Sequence, residues 1–511
     1  MGGKYLLRTL GCKVNQYESQ QLREALESCG LRPVTEGEQP DVAVVNSCAV
    51  TASASAKTRQ AARRASSGGR VPVVVVGCSA TADADRLRGI AGVAAVWGHD
   101  GNIVQALRGF VVHRLGAVKP NQAGTITAGG SGVTLARTGG DDESITEATG
   151  GGSQRHPDGS SNPLVNTSVA PPGVDVNAPP SMGLAITRFD GHQRAFLKLQ
   201  DGCNAHCTYC IIPQLRPRLR STPIESAVAE ARALVRAGHR EIVLTGIYLG
   251  AYGRETAIRR RFEETGHSPL AEVVDRIAEV EGLVRLRLSS LEPGDVNDHL
   301  LDVLAAHDCC VPHLHLPLQS GSSGVLRRMN RQYLAEDFRR MIDRVRAELD
   351  RPAISTDIVV GFPGETEADF QETLSLARYA GFCKIHAFPF SPREHTAARW
   401  KGQFVDGLTV RDRMKRLAEL EAELRAAFCG GMTGSIERVL VEGDTHRPGP
   451  VHGRTDRYFE VYFEPRPANV LMPGDVVRVR IDRVSPRRVH GTLLDGSSTT
   501  VALPVLSGED C

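Results

Sequence analysis

One low-complexity segment near the middle of the chain sets the limits on its fold. From Lys119 to Ser181 the sequence is rich in Gly, Ser, Thr, Pro and Asp, and no aromatic residue occurs between Phe110 and Phe189. Such a composition cannot bury enough apolar surface to offset the conformational entropy that ordering would cost. We therefore predict a flexible, disordered linker over residues 116–185, with separately folded units on either side of it.

Both sides of the linker alternate short apolar runs with amphipathic segments. Before it, the runs "KYLLRTL", "DVAVVNS" and "VPVVVVG" are separated by helical patterns, which predicts a small parallel doubly wound sheet over residues 3–115. After it, about six such repeats predict a partial β/α barrel over residues 186–430, whose chemistry would lie at the carboxyl ends of the strands. The predicted fold class is therefore α/β.

The end of the chain has a different pattern. Residues 431–495 alternate Val and Arg between Gly turns, as in "GDVVRVRIDRV". This pattern predicts a small antiparallel β-barrel. A tail, residues 496–511, follows it.

Charge and hydropathy narrow the class of protein. The net charge of +2 over 511 residues neither requires nor excludes a nucleic-acid partner. The start of the chain lacks a sustained apolar core, and the densest apolar run, Val71 to Gly77, is too short to span a bilayer. We expect a soluble, cytoplasmic monomer with no membrane contact. In a reducing cytosol, its 12 cysteines are expected to be metal ligands and buried thiols rather than disulfides.

The strongest local motif is "DGCNAHCTYC", which places Cys203, Cys207 and Cys210 in a CxxxCxxC pattern directly after a predicted strand. Three thiolates on one loop can bind three irons of a 4Fe–4S cluster and leave the fourth iron open to another ligand. The alternative is a zinc knuckle. A closed zinc site needs a fourth ligand, and the position of His206 fits no standard zinc pattern.

Three further cysteines are scattered through the first part of the chain. Cys12, Cys48 and Cys78 each end one of the first three predicted strands. Because the carboxyl ends of parallel strands meet at one edge of a sheet, we predict that these thiols converge and bind a second 4Fe–4S cluster, again with incomplete protein ligation. The alternative is that each is simply a buried small apolar residue.

Four polar residues flank the same predicted edge. They could donate hydrogen bonds to cluster sulfurs or could cap helices. They are Asn15, Gln16, Asn46 and Ser47.

The cysteine loop, with Tyr209 before its last cysteine, resembles that of the radical S-adenosylmethionine (SAM) enzymes. The resemblance implies that the open iron binds the amino and carboxylate groups of SAM and that the reduced cluster cleaves SAM to a 5′-deoxyadenosyl radical. Small and polar residues at the ends of the later predicted strands would complete the SAM pocket, although such strand ends are usually only turns. The candidates are Tyr209, Thr245, Gly246, Ser289, Glu292, Gln319 and Asp357.

The order of units resembles the methylthiotransferase family: a domain with three scattered cysteines, a radical SAM domain and a small β-barrel. The resemblance implies two 4Fe–4S clusters and SAM as cofactors. The second cluster would hold a sulfur that one SAM methylates, and a second SAM would supply the radical that removes hydrogen from the substrate carbon. The sulfur donor and the reductant are not indicated by the sequence.

Two stretches indicate a branch of that family. "TLGCKVNQYES" and "NSCAVTASASAKTRQ" are most similar to the branch that acts on N6-threonylcarbamoyladenosine in tRNA, beside the anticodon. The alternatives are the branches that act on isopentenyladenosine in tRNA and on an aspartate of a ribosomal protein. The chain departs from the family pattern at Pro217 and His395, where relatives usually have glycine.

The final barrel resembles the TRAM domain, a tRNA-binding module, and so implies tRNA, held by its anticodon arm, as the partner. Basic side chains would contact phosphate, and Tyr458 or Phe459 would stack on a base. The alternative is an ordinary solvated barrel face. The predicted phosphate contacts are Arg216, Arg478, Arg480 and Arg487.

Overall fold

The computed structural model describes residues 3–99, 101–115, 185–258, 266–443, 449–465, 471–485 and 488–494. The linker predicted over residues 116–185 lies outside this part of the chain except for its last residue. No helix in the described ranges is both long and apolar enough to cross a membrane.

The first unit is a parallel sheet of five strands in the order β2-β1-β3-β4-β5, with helices on both faces. The strands are β1 (Lys4–Thr9), β2 (Arg32–Pro33), β3 (Val42–Ser47), β4 (Val73–Gly77) and β5 (Val93–Trp97). The helices are α1 (Lys13–Ser28), α2 (Ala52–Ala65), α3 (Cys78–Ala82), α4 (Ala84–Arg88) and α5 (Ile103–Leu115). Because β3 and β4 are buried on both faces, they consist of continuous apolar runs, and the predicted doubly wound fold is confirmed.

The second unit is an open barrel of six parallel strands built from two sheets. One sheet has the order β7-β6-β8-β9, with the short β7 antiparallel, and the other has the order β10-β11-β12. Single bridges, Leu286 to Cys310 and Ser290 to His315, connect the two sheets. The strands are β6 (Arg194–Asp201), β7 (Arg220–Ser221), β8 (Glu241–Gly246), β9 (Arg285–Leu288), β10 (His313–His315), β11 (Ala353–Val360) and β12 (Lys384–Pro389).

The helices of this unit cover the outside of the barrel, where their apolar faces pack on the strands in one large core. They are α6 (Ile212–Leu215), α7 (Ile224–Arg236), α8 (Pro269–Ala278), α9 (Asp298–Ala306), α10 (Ser323–Arg328), α11 (Ala335–Glu348), α12 (Glu367–Ala380) and α13 (Gly407–Gly430). Short 3-10 helices lie at Leu249–Ala251, Pro293–Asp295 and Ala397–Lys401.

The third unit is a closed barrel in the order β13-β14-β15-β17-β16. Its strands are β13 (Ile436–Val441), β14 (Val451–Thr455), β15 (Glu460–Phe463), β16 (Val476–Val484) and β17 (Val489–Leu493). The predicted barrel is confirmed with one difference. Strands β15 and β17 pair in parallel. Strand β16 separates them in sequence and pairs antiparallel with β17, so the closed barrel contains one parallel pair.

The third unit closes the amino end of the open barrel through buried charges. Arg285 and Arg287 are fully buried and share Glu241, at 3.0 and 2.9 Å. Arg285 also donates to the carbonyl oxygens of Arg454 and Thr455, each at 2.8 Å. A buried guanidinium left without these partners would be costly, so the two units are expected to pack as one body.

The prediction that Tyr458 or Phe459 stacks on an RNA base is wrong. Tyr458 stacks on His313 with ring centroids 4.7 Å apart, and the guanidinium carbon of Arg287 lies 4.8 Å from its ring centre. Phe459 is buried in the core of the third unit. Both rings are used by packing within the chain.

The first two units meet at a buried carboxylate. Tyr17 of α1 donates its hydroxyl to Glu230 of α7 at 2.7 Å, and the backbone N–H of Ile186 donates to the same oxygen at 3.1 Å. Burial raises the pKa of Glu230 from its usual 4.5 to about 7.

This carboxylate predicts a pH dependence of stability. Between about pH 4.5 and pH 7 the folded chain keeps a proton that the unfolded chain has lost, so stability falls as pH rises through that window, by up to about 3 kcal/mol. We expect Glu230→Gln to be more stable than the parent above pH 7 and to lose most of this pH dependence. Thermal unfolding at several pH values measures the effect. Glu225→Gln, an exposed change on the same helix, is the control, and an unchanged pH profile for Glu230→Gln would contradict the assignment.

Candidate active site: two groups of cysteines

The cysteine loop leaves the carboxyl end of β6 and folds back on itself. Gly202 has a φ of +82°, and a Cβ there would lie 1.9 Å from the carbonyl oxygen of Arg218, so only glycine fits. The backbone N–H of Cys203 donates to the carbonyl oxygen of Arg216 at 2.9 Å, and that of Thr208 donates to Met329 at 3.0 Å. These bonds hold the loop at the active-site end of the barrel.

The three thiols of this loop lie close together: the charge of Cys207 acts on both Cys203 and Cys210, and the charge of Cys203 also acts on Cys210. Burial raises the pKa of Cys203 to about 11 and that of Cys210 to about 12. Two N–H groups point at the sulfurs: Ala205 donates to Cys203 Sγ at 3.4 Å, and Arg331 Nη1 donates to Cys207 Sγ at 3.3 Å. N–H donors to sulfur are the contacts that iron–sulfur clusters use.

Arg331 is a site residue that the sequence analysis missed. Its Nη1 also lies 3.3 Å from the hydroxyl oxygen of Tyr209, and its other terminal nitrogen forms an ion pair with Glu292. It therefore joins two predicted SAM contacts to Cys207. No spacing in "RRMNRQ" marks this arginine, which lies 124 residues from Cys207 in sequence.

The predicted SAM contacts lie toward the carboxyl ends of the barrel strands or on the loops that follow them, and two of them, Tyr209 and Glu292, are linked to the cysteine loop through Arg331. The hydroxyl of Ser289 is buried without a hydrogen-bond partner, which leaves it available to a ligand. Gln319 has a φ of +61° and joins β11 through a bridge to Ile358. Asp357 lies 3.3 Å from His315. Thr245 and Gly246 end β8, and Tyr209 packs edge-on against Phe362. That these residues bind SAM stays a prediction.

The second group of cysteines lies at one edge of the first sheet. Cys12, Cys48 and Cys78 directly follow or nearly follow the ends of β1, β3 and β4. A Cβ on Gly11 would lie 3.2 Å from Cys48 Sγ, so the chain before Cys12 passes tightly against the second thiol. Burial raises the pKa of Cys48, and it raises the pKa of Cys78 to about 12. The charge of Cys12 acts on both of these thiols. The structure thus brings the three thiols together.

A histidine that the sequence analysis did not name, His99, lies beside this group. His99 Nε2 lies 3.6 Å from Cys78 Sγ. Burial lowers the pKa of His99 to about 3, so the ring is neutral. Because it follows β5, the same argument from strand ends that united the cysteines could have found it.

The amides beside the second group support the backbone. Asn15 donates its side-chain N–H groups to the carbonyl oxygens of Leu10 and Ser47, both at 2.8 Å. Asn46 donates to the carbonyl of Asn15 at 2.9 Å. Their N–H donors are thus already used within the chain, and we no longer expect Asn15 and Asn46 to donate to cluster sulfurs.

A buried ionic cluster links the two groups of cysteines. Arg216 binds Glu18 of α1 and Asp201 of β6, each at 2.7 Å, and Lys198 binds the same two carboxylates at 2.9 Å. Burial alone would raise the pKa of Glu18, but Arg216 and Lys198 hold it at about 2. The Arg216 side chain also acts on Cys78, while its carbonyl holds Cys203. The first domain is therefore fixed over the mouth of the barrel.

The prediction that Arg216 contacts RNA phosphate is wrong, because the residue is 3% exposed and both terminal nitrogens of its guanidinium bind carboxylates within the chain. Arg478 and Arg480 lie on the exposed face of β16, where a phosphate could reach them. Arg487 lies outside the described residues. RNA contact at Arg478 and Arg480 stays a prediction.

The two departures from the family pattern lie near the cysteine loop. His395 has a φ of +65°, a conformation that favours glycine, and its carbonyl accepts a hydrogen bond from Gln214. Its side chain is exposed, as is that of Pro217. Within the described part of the chain, neither residue forms a hydrogen bond with a cysteine of either group.

An open barrel of parallel strands with a CxxxCxxC loop at its carboxyl end defines the class of radical SAM enzymes. Comparison with known proteins agrees. Residues 197–377 match the Radical SAM superfamily, residues 4–98 the uncharacterized protein family UPF0004, and residues 431–494 the TRAM domain.

Curated relatives cover nearly the whole chain. It is 31% identical over 494 residues to the threonylcarbamoyladenosine tRNA methylthiotransferase MtaB of Chlamydia pneumoniae. The alignment covers 96% of this chain and 98% of that relative. It is 32% identical over 478 residues to the protein of the same name from Bacillus subtilis, with coverage of 93% and 92%. It is 33% identical over 499 residues to the tRNA-2-methylthio-N(6)-dimethylallyladenosine synthase of Frankia alni, with coverage of 97% and 89%. The chain belongs to the methylthiotransferase family.

Proposed function

We propose that this protein is a tRNA methylthiotransferase that acts on carbon 2 of N6-threonylcarbamoyladenosine beside the anticodon. Relatives with two different tRNA substrates in their names support the reaction and the RNA partner. Beyond the resemblance of "GCKVNQ" to one branch of the family, the single structural observation that favours one of the two substrates is the surroundings of Lys13.

The two groups of cysteines suit two 4Fe–4S clusters. Each supplies three thiols, and in the described residues neither gathers the compact set of donors that a single metal ion needs. When bound, the clusters and SAM would supply the methylated sulfur and the radical that removes hydrogen from the substrate carbon. The chain's own contribution is to hold the two sites together through Arg216 and to exclude water by covering the barrel.

Lys13 follows Cys12 directly and opens α1. The charges of Tyr458, Arg287, Arg194 and Cys12 all act on it, so Lys13 lies between the second group of cysteines and the charged group at the closed end of the barrel. Within the part of the chain that the structure describes, no carboxylate forms a hydrogen bond or ion pair with Lys13. Burial lowers its pKa, as expected for a cation without such a partner.

The whole charged group carries an excess of positive charge. Its carboxylates are Glu241, Glu442 and Asp456. Its cations are Lys13, Arg194, Arg285, Arg287 and Arg454. Two polar atoms there, Arg287 Nη2 and His313 Nδ1, are buried without a partner.

A substrate group with negative charge would complete this arrangement. The threonylcarbamoyl group ends in a carboxylate, whereas the isopentenyl group is a hydrocarbon that would leave the polar atoms unpaired. The charge around Lys13 therefore favours threonylcarbamoyladenosine. Methylthiolation of isopentenyladenosine remains the alternative because of the Frankia relative.

We expect Lys13→Met to lower kcat/KM on tRNA that carries threonylcarbamoyladenosine by about 10- to 100-fold, the value of a lost charge-assisted hydrogen bond. The reconstituted protein would be assayed under anaerobic conditions on tRNAs that differ only in this modification, with mass spectrometry of the product. Lys57→Met, on the exposed face of α2, is the matched control. Equal losses on both tRNAs would show that Lys13 does not read the carboxylate. Activity of the parent on isopentenyladenosine alone would overturn the proposed substrate.

A further inference from the structure

Three exposed aromatic residues lie on the last strand of the open barrel and on the segment after it, which is hydrogen-bonded to the cysteine loop. Phe388, Trp400 and Phe404 are 48%, 77% and 53% exposed, and Tyr379 is the only other aromatic residue of the described chain among the largely exposed apolar side chains. We call the first three residues, together with Arg399 and Lys401, the Trp400 surface. An exposed tryptophan with a second exposed ring four residues later is a candidate binding site.

This surface is fixed to the cysteine loop. The N–H of Ala398 donates to the carbonyl oxygen of Thr208, between Cys207 and Tyr209, at 2.8 Å. Rings continue the connection inward: Phe404 stacks on Phe390 with centroids 6.3 Å apart, and Phe390 packs on Phe362 at 5.5 Å. Phe362 contacts Tyr209 at 6.4 Å. A partner on this surface would therefore be held at a fixed position relative to the active site.

The charges of the surface complement an anionic chain. The guanidinium carbon of Arg399 lies 5.6 Å from the centre of the Trp400 ring, and Lys401 follows directly and is exposed. From Thr396 to Phe404 the sequence contains no Asp or Glu. Exposed rings beside cations are the arrangement by which proteins bind single-stranded nucleic acid, because bases stack on the rings and phosphates contact the cations.

We propose that Trp400 stacks on an unpaired base of the anticodon loop of the tRNA, with Arg399 and Lys401 contacting the adjacent phosphates. The proposal rests on the proposed function, since it requires an RNA substrate at this end of the barrel. It assigns to the Trp400 surface the task of holding the loop while the adenosine beside the anticodon enters the barrel.

Tryptophan fluorescence can test this directly, because the chain has two tryptophans. The other, Trp97, lies in the first domain and packs edge-on against Phe110 at 5.9 Å. In a Trp97→Phe chain the signal comes from Trp400 alone. We expect it to be quenched when an anticodon stem-loop with threonylcarbamoyladenosine is added, and to be unaffected by the same stem closed by a loop of abasic sites.

A second measurement, the anisotropy of labelled stem-loop, follows RNA binding independently of Trp400. We expect Trp400→Leu to weaken binding about tenfold and Trp400→Phe to restore most of the affinity, since any aromatic face can stack. Val112→Ala, a change at an exposed apolar residue of α5 in the first unit, is the control.

The outcomes separate the two proposals. If the labelled RNA does not bind at all, the proposed function fails together with this inference. If it binds the parent and Trp400→Leu equally, without quenching, only the inference is overturned. Fluorescence that changes with protein concentration instead of RNA, together with a second species in sedimentation, would assign the surface to a second copy of the chain and would also overturn it.

Discussion

Under the proposed assignment of two clusters, we expect replacement of Cys203 with alanine to abolish methylthio transfer and to cut the iron content of the anaerobically reconstituted protein from about eight to about four per chain. Two thiols on the loop cannot hold the cluster that three would hold, whereas the backbone N–H of residue 203, which donates to the carbonyl oxygen of Arg216, is kept in the variant. We expect activity to fall by at least about a thousandfold and cleavage of SAM to 5′-deoxyadenosine to stop with it. Iron analysis and chromatography of the products measure the two effects.

Cys309→Ala is the matched control for this change, because Cys309 is a partly buried thiol of the same domain that belongs to neither group. It should keep full iron content and activity. Retention of SAM cleavage by Cys203→Ala would show that the loop does not form the SAM-binding site.

Replacing Cys48 with alanine should separate the two sites. The loop of Cys203, Cys207 and Cys210 is untouched by this change, so cleavage of SAM should continue, while methylthio transfer falls by at least about a thousandfold because the second cluster loses one of three ligands. Iron content should again fall to about four per chain. Product analysis then shows 5′-deoxyadenosine without methylthiolated nucleoside.

Cys29→Ala serves as the control in the first domain, since Cys29 is a buried thiol at the end of α1, remote from the edge that holds Cys48. If Cys48→Ala kept the full iron content, the three scattered cysteines would be ordinary buried residues and the second cluster would have to be abandoned.

The fold class and the meeting of the scattered cysteines could be predicted because both follow from local pattern and a general rule. Continuous apolar runs identify β3 and β4, and parallel strand ends share an edge whatever the sequence between them. Cys12, Cys48 and Cys78 are 36 and 30 residues apart and still lie together in the structure.

Residues whose role depends on another domain could not be predicted. Arg216 stands in "RPRLR", which resembles a basic surface segment, but its partner Glu18 lies 198 residues earlier and draws it inside. The sequence around Tyr458 does not indicate that its ring packs against Arg287 and His313 of the second unit, so RNA stacking was predicted instead. Arg331 and Cys207 lie in the same domain, but 124 residues separate them, so their contact depends on the tertiary fold. Such contacts depend on packing within and between domains, which periodicity does not encode.

Lys13 shows how the structure adds a physical reason to a family resemblance. In the sequence, "GCKVNQ" indicates a branch only by its similarity to relatives. In the fold, the same lysine joins a positively charged group that a threonylcarbamoyl carboxylate would complete. The two lines of reasoning are independent and favour the same substrate.

The most direct test of the proposed function is mass spectrometry of the nucleosides in total tRNA from the source organism with this gene deleted. We predict that the methylthio form of N6-threonylcarbamoyladenosine disappears, that its unmethylthiolated parent accumulates, and that re-expression of the parent chain, but not of Cys203→Ala, restores it. An unchanged threonylcarbamoyladenosine profile, or loss of the methylthio form of isopentenyladenosine instead, would contradict the account.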